Sequence, residues 1–230
     1  MRLRLYVEDK YFKSYETLAT KWHSTTDGQC SVNHVRAVKL GLKKMRDEMP
    51  RYVRRAQKDG FGCVVFVLDQ EKSGQRSALL NDIRAAFERL CQEQPHNREI
   101  RDMKVALVVA KTCLECWILT DVKAIVYFVY FACRRGTRVR YSPQQRGDTE
   151  QLDPGEAVNE ITHILREVGK RQNKRDLKRI KFEKSQVPDM VDQMNNLPEA
   201  IHKNHSLKCF CDTVTCRASG CDRLQPGEEI

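Results

Sequence analysis

No stretch of this chain approaches the roughly 18 uninterrupted apolar residues needed to cross a bilayer. The longest candidate, Ala124 to Cys133, is bounded by Lys123 and Arg134 and reads as a buried core segment. A G-x-x-x-x-G-K-[ST] loop is absent, so any ATP use must be supplied by another subunit. Internal repeats are absent too, which argues against a solenoid. The first residues, Met1 to Glu8, alternate charge with apolarity and lack the continuous apolar region of a secretory signal, so the expected location is the cytoplasm.

Acidic residues are in short supply. There are 31 Asp and Glu against 41 Lys and Arg, a net charge of +10, and the surface field is positive on average. A polyanionic partner follows as an expectation, with nucleic acid first. The basic residues are spread over several segments and do not flank one amphipathic anchor, which argues against a membrane surface. A length of 230 residues with 40% hydrophobic content suits one substantial core plus a helical appendage. The change of character after Cys133 suggests an α/β domain over residues 1–133 and a basic helical region over 134–230.

The hydrophobic periods give the order of elements. Leu3, Leu5 and Val7 alternate with Arg2, Arg4 and Tyr6, the pattern of a strand ending at Glu8. Phe12, Tyr15, Leu18, Ala19 and Trp22 then recur at helical spacing. Val32 to Lys58 reads as a basic helix, divided or kinked by Pro50, whose outward face is either solvated or turned to phosphates. Phe61 to Leu68 is a continuous apolar run of β-branched and aromatic residues, as in a central strand of a parallel sheet, and it stops at Asp69-Gln70-Glu71. A helix from about Ser77 to Gln92, a strand from Met103 to Val109 and a turn and helix from Lys111 to Asp121 follow. Asp153-Pro154 starts a later helix, and short helices come after Pro188. Strands alternating with helices predict an α/β fold with a mainly parallel, Rossmann-like sheet flanked by helices and a helical C-terminal extension.

Such sheets place their sites beyond the carboxyl ends of the strands. Glu8, Asp69 and Glu71 lie just past two separate strands, and Glu115 lies shortly after a third. Gathering anions without a cation is unfavourable, and a hard divalent ion with oxygen ligands resolves the conflict. In Asp69-x-Glu71 an extended backbone points both acids the same way.

The segments VEDK, VLDQEKSG, LECWILTD and LDPGEAV, in this order, resemble the motifs of TOPRIM domains. These occur in topoisomerases, bacterial primases and OLD-type nucleases, and the chain is most similar to the stand-alone group known as domain of unknown function 4276. The resemblance implies a TOPRIM-like sheet and a metal-dependent nuclease acting on DNA or RNA. Asp69 and Glu71 would hold Mg²⁺ or Mn²⁺, Glu8 would be a further ligand or a general acid/base, Glu115 would support the metal or position the strand, and Lys72 and Lys111 would offset developing negative charge. It also implies an anti-phage defence setting with a partner ATPase subunit, and it leaves homo-oligomerisation open. The chain departs from the pattern where Asp9 stands in place of glycine and Phe12 in place of a second acid. Glu16, one turn on, is the candidate to compensate. A non-catalytic nucleic-acid-binding or assembly subunit and a tRNA-cleaving toxin are the rival readings.

Ten cysteines are expected to remain thiols in a reducing compartment, with Cys63, Cys91, Cys113, Cys116 and Cys133 as small core residues. Cys209, Cys211, Cys216 and Cys221 are spaced C-x-C-x4-C-x4-C, unlike the paired C-x2-C of common zinc knuckles.

Overall fold

The structure is a computed structural model that describes residues 1–26, 32–69, 74–110, 113–132, 148–171, 181–216 and 221–223. Two compact units emerge, one of residues 1–111 with 209–230 and one of residues 112–208.

The first unit is built on a parallel sheet of order β2-β1-β3-β4-β5. Its strands are β1 (Arg2–Val7), β2 (His34–Lys39), β3 (Cys63–Asp69), β4 (Lys104–Ala110) and β5 (Cys221–Arg223). Helices α1 (Phe12–Thr25), α2 (Leu42–Lys58) and α3 (Gly74–Glu93) connect the first four strands, which gives the expected α/β architecture. On one face Tyr6, Val64, Phe66, Leu68, Val105 and Leu107 meet Met45, Met49 and Val53 of α2 and Ile83, Phe87 and Leu90 of α3. On the other face α1 lies along β1 and β2, and the Tyr15 ring meets the edge of Phe210 at 5.9 Å. β3 is buried from Cys63 to Leu68 on both faces, which is why its sequence is apolar without alternation. Each such side chain contributes about 1.5–3 kcal/mol by leaving water.

Val32 to Lys58 is not one helix. His34–Lys39 is the edge strand β2, in parallel register with β1, and α2 begins only at Leu42. Val35, Val38 and Leu42 happen to fit a helical spacing. The period of two shows instead in buried Val35 and Ala37 set against exposed His34 and Arg36. Pro50 does not divide α2, which runs through it to Lys58.

The expectation of thiols fails at Cys63 and Cys216. Cys63 of β3 forms a disulfide with Cys216, 153 residues away. Cys216 has φ 52, a left-handed backbone unusual outside glycine, and its carbonyl accepts from Lys104 Nζ. The disulfide and this contact hold Cys216, and β5, five residues on, pairs with β4.

The second unit is helical, with α4 (Leu114–Leu119), α5 (Val122–Ala132), α6 (Pro154–Arg171), α7 (Val187–Asp192), α8 (Leu197–Ala200) and the start of α9 (His205–Val214). α4 and α5 pack on each other and on α6 and α7. Asp153 and Glu156 cap α6 reciprocally, each side chain accepting from the other's backbone N–H at 2.8 and 3.0 Å. Trp117 is fully buried, and its Nε1 donates to Ser206 Oγ at 3.0 Å. That hydroxyl donates to Asn204 Oδ1, and Asn204 Nδ2 donates to Thr149 Oγ1, so the buried polar chain is satisfied link by link. No helix among the described residues is long and apolar enough to cross a membrane.

Candidate active site

β1 is followed by a crossover to β2 on one side, and β2 by a crossover to β3 on the other. The chain therefore reverses its winding between β1 and β3, the position where parallel sheets leave a crevice beyond their carboxyl ends. Glu8 and Asp69 stand on either side of it.

Val7 pairs with Val67, and Glu8 N–H continues the ladder to Val67 O at 3.1 Å, so the residues that leave both strands do so at one level. Glu8 Oε2 accepts from Asp69 N–H at 3.3 Å. Asp69 Oδ1 accepts from the hydroxyl of Tyr15, in α1, at 3.2 Å. Both acids are half-buried. Two carboxylates from residues 61 apart thus share one end of the two central strands. Hard oxygen donors of this kind suit Mg²⁺ or Mn²⁺ better than a soft metal.

The other expected residues divide. Glu71, Lys72 and Lys111 lie outside the described residues. Glu115 belongs to the second unit, where its carboxylate is buried in the first turn of α4 and lies 3.4 Å from Lys184 Nζ. Phe12 is the first residue of α1, and Asp9 Oδ1 accepts from Tyr11 N–H at 2.9 Å, a local turn that starts this helix. Glu16 does not stand in for the missing acid. Its Oε2 accepts from Ala37 N–H at 2.6 Å and so closes part of the open edge of β2. Among the described residues no group of three or more His, Cys, Asp or Glu is disposed around one point, and Glu8 and Asp69 remain a pair.

Two contributors were missed in the sequence. Tyr15 reads as a core aromatic, and it is fully buried, but its hydroxyl reaches Asp69. Lys39 sits on the exposed end of β2 in register with Val7, which brings a cation to the same end of the sheet. The alternation within His34–Lys39 is the signal that would have placed it.

The cysteines do not assemble a zinc site among the described residues. Cys216 is bonded to Cys63, and burial pushes the Cys211 thiol well above its usual range. In the second unit Cys113 and Cys116 are close, Sγ to Sγ 3.5 Å, and their mutual hydrogen bond, with burial behind it, raises Cys113 far above an ordinary thiol. A thiol held protonated is a poor nucleophile, which argues against Cys113 as a reactive thiolate.

The Tyr15 contact makes a direct prediction. Tyr15→Phe keeps the ring packing and removes the donor to Asp69, and should cost about 1 kcal/mol of unfolding free energy in urea titration. A loss indistinguishable from zero would show the bond to be idle.

Comparison with family models, with curated proteins and with solved structures finds no match to this chain.

Proposed function

We propose that the protein is a divalent-cation-dependent phosphodiester hydrolase acting on nucleic acid. The reading is carried by one observation: the Glu8 carboxylate and Asp69 adjoin at the carboxyl ends of neighbouring parallel strands, at the switch point of the sheet. The TOPRIM-like order of motifs and the basic charge support it. Glu8 and Asp69 would hold Mg²⁺ or Mn²⁺, with Glu71 as the further acid that the resemblance implies. When bound, the ion polarises a phosphate oxygen and lowers the pKa of water. Tyr15 orients Asp69 through Oδ1, and Asp69 N–H fixes the Glu8 carboxylate. Lys39 supplies positive potential at this end of the sheet, where a phosphate would enter. A partner ATPase and a defence role rest on the resemblance alone.

A second reading, a nucleic-acid-binding subunit without catalysis, is favoured by Phe12 in the place of an acid and by the commitment of Glu16 to Ala37. Incubation of the purified chain with plasmid DNA and with total RNA under Mg²⁺, Mn²⁺ or EDTA separates the two. Cleavage that needs the metal is expected. Binding that survives EDTA, with no cleavage under either ion, selects the second reading, and loss of tRNA beside intact plasmid identifies a tRNA-cleaving toxin.

A further inference from the structure

Parallel register sets Arg2 beside His34 and Arg4 beside Arg36 on adjacent strands. Side chains in register point to the same face, here the face on which Tyr6 meets Tyr52 of α2. The Arg2 and Arg4 guanidiniums both lie over the Phe61 ring, at 4.3 and 4.0 Å from its centre, and the His34 ring is 6.5 Å from it.

Among the described residues little neutralises this group. Asp59 is its one acidic contact among the described residues, 3.4 Å from Arg4 Nη2, and the Asp59 carbonyl accepts from Arg2 Nη1 at 2.8 Å. Arg36 is exposed and pairs with no carboxylate among the described residues. Arg4 Nε is buried without a hydrogen-bond partner. Burial lowers the Arg4 pKa from its ordinary value, opposed by Tyr6 and Asp59 and reinforced by the charges of Arg36 and Arg2. Like charges directly opposite on neighbouring strands work against a sheet. Nothing among the described residues accounts for the Arg4–Arg36 rung, and an external anion would.

The anion is an extended one. Arg2 and Arg36 are exposed and the Arg4 side chain, 11% exposed, lies behind them, so the face offers charge spread along about 7 Å of strand rather than a single pocket, and guanidinium is matched to phosphate in shape. Lys58 is exposed at the end of α2, beside Asp59. The row also points along β1 toward Glu8, four residues beyond Arg4 or about 13 Å.

We propose that Arg2, Arg4 and Arg36, with His34 and Lys58 at the rim, form a docking face for the phosphate backbone of nucleic acid, separate from the Glu8–Asp69 crevice. It rests on the hydrolase reading only in taking nucleic acid as the polyanion.

The test is fluorescence anisotropy of the full chain in EDTA, with a fluorescein-labelled 20-nucleotide single strand and the matching duplex, across 50 to 200 mM salt. Wild type should bind at least one probe, and the comparison identifies the preferred form. Arg36→Glu should weaken binding at least tenfold, and lower the slope of log K against log salt by about 1 or more. The same variant should raise the thermal midpoint by about 1–3 °C, because a carboxylate opposite Arg4 replaces a repulsion by an attraction. Arg36→Gln, which only deletes the charge, should show a smaller loss in the same direction. Wild type that binds neither probe, Arg36→Glu that binds unchanged, or a lowered midpoint for that variant overturns the proposal. A chain that binds through Arg36 yet never cleaves with Mg²⁺ or Mn²⁺ removes the hydrolase reading alone. A chain that cleaves with binding indifferent to Arg36 removes the docking face alone.

Discussion

Asp69→Asn should reduce metal-dependent cleavage at least ~100-fold while leaving the fold intact. The loss follows from the chemistry of the pair: a neutral amide cannot supply the charge that a divalent ion needs, and acid–base roles at such sites are worth roughly 10²–10⁴ in rate. The fold should survive because Asp69 is the half-buried last residue of β3, and the amide oxygen can still accept from Tyr15. Glu8→Gln should act in the same direction, and the double variant should fall little further than the worse single one, since residues that act as a unit are not additive. Titration calorimetry with Mn²⁺ gives a readout independent of turnover: both variants should bind the ion more weakly than wild type. Activity unchanged in Asp69→Asn would sink the assignment of the crevice.

Much of this arrangement could be read before any coordinates, and the reasons are specific. β3 announces itself because burial on both faces demands a continuous apolar run, and Asp69 marks its end because a charge cannot follow it into the core. β1 alternates Arg2-Leu3-Arg4-Leu5, is buried on both faces from Leu5 to Val7, and stops at Glu8. β2 alternates too, but a six-residue edge strand offers only three inward positions, and a helical spacing can fit these by accident. Misreading β2 hid both Lys39 and the Arg4–Arg36 rung, because each exists only through register with β1. Pairing between distant segments is beyond any local period. Tyr15 to Asp69, Glu16 to Ala37 and Cys63 to Cys216 are all of this kind.

The switch point explains why two acids from unrelated motifs meet. Had β3 been added outside β2, the ends of β1 and β3 would be separated by a strand, and Glu8 could not accept from Asp69 N–H. The order β2-β1-β3 removes that strand, so strand order, more than either local sequence, makes the site. The same order leaves β2 at an edge, where Arg36 and His34 are exposed and Glu16 shields the backbone of Ala37.

Cys216→Ser should be the most destabilising of the substitutions considered. A cross-link that closes 153 residues removes, on the chain-entropy account, about 5 kcal/mol of unfolded-state freedom, an upper value because unfolded chains retain structure. Against a total stability of about 5–15 kcal/mol for a typical domain, that is a large share. The loss should be greatest around β4 and β5, because Cys216, with its left-handed backbone and its carbonyl accepting from Lys104, is the anchor before β5 joins the sheet. Wild type in reductant should unfold like Cys216→Ser, and Cys63→Ser should match both, since the three remove the same bond. Peptide mapping after alkylation under non-reducing conditions checks the premise: Cys63 and Cys216 should be protected together and become labelled together on reduction. Labelling of both without reductant, with stability indifferent to it, would sink the disulfide. The outcome also bears on the expected cytoplasmic location, because a reducing compartment disfavours this bond. Protection in protein alkylated inside intact cells would require an oxidising environment, or an oxidant acting on the chain where it is made.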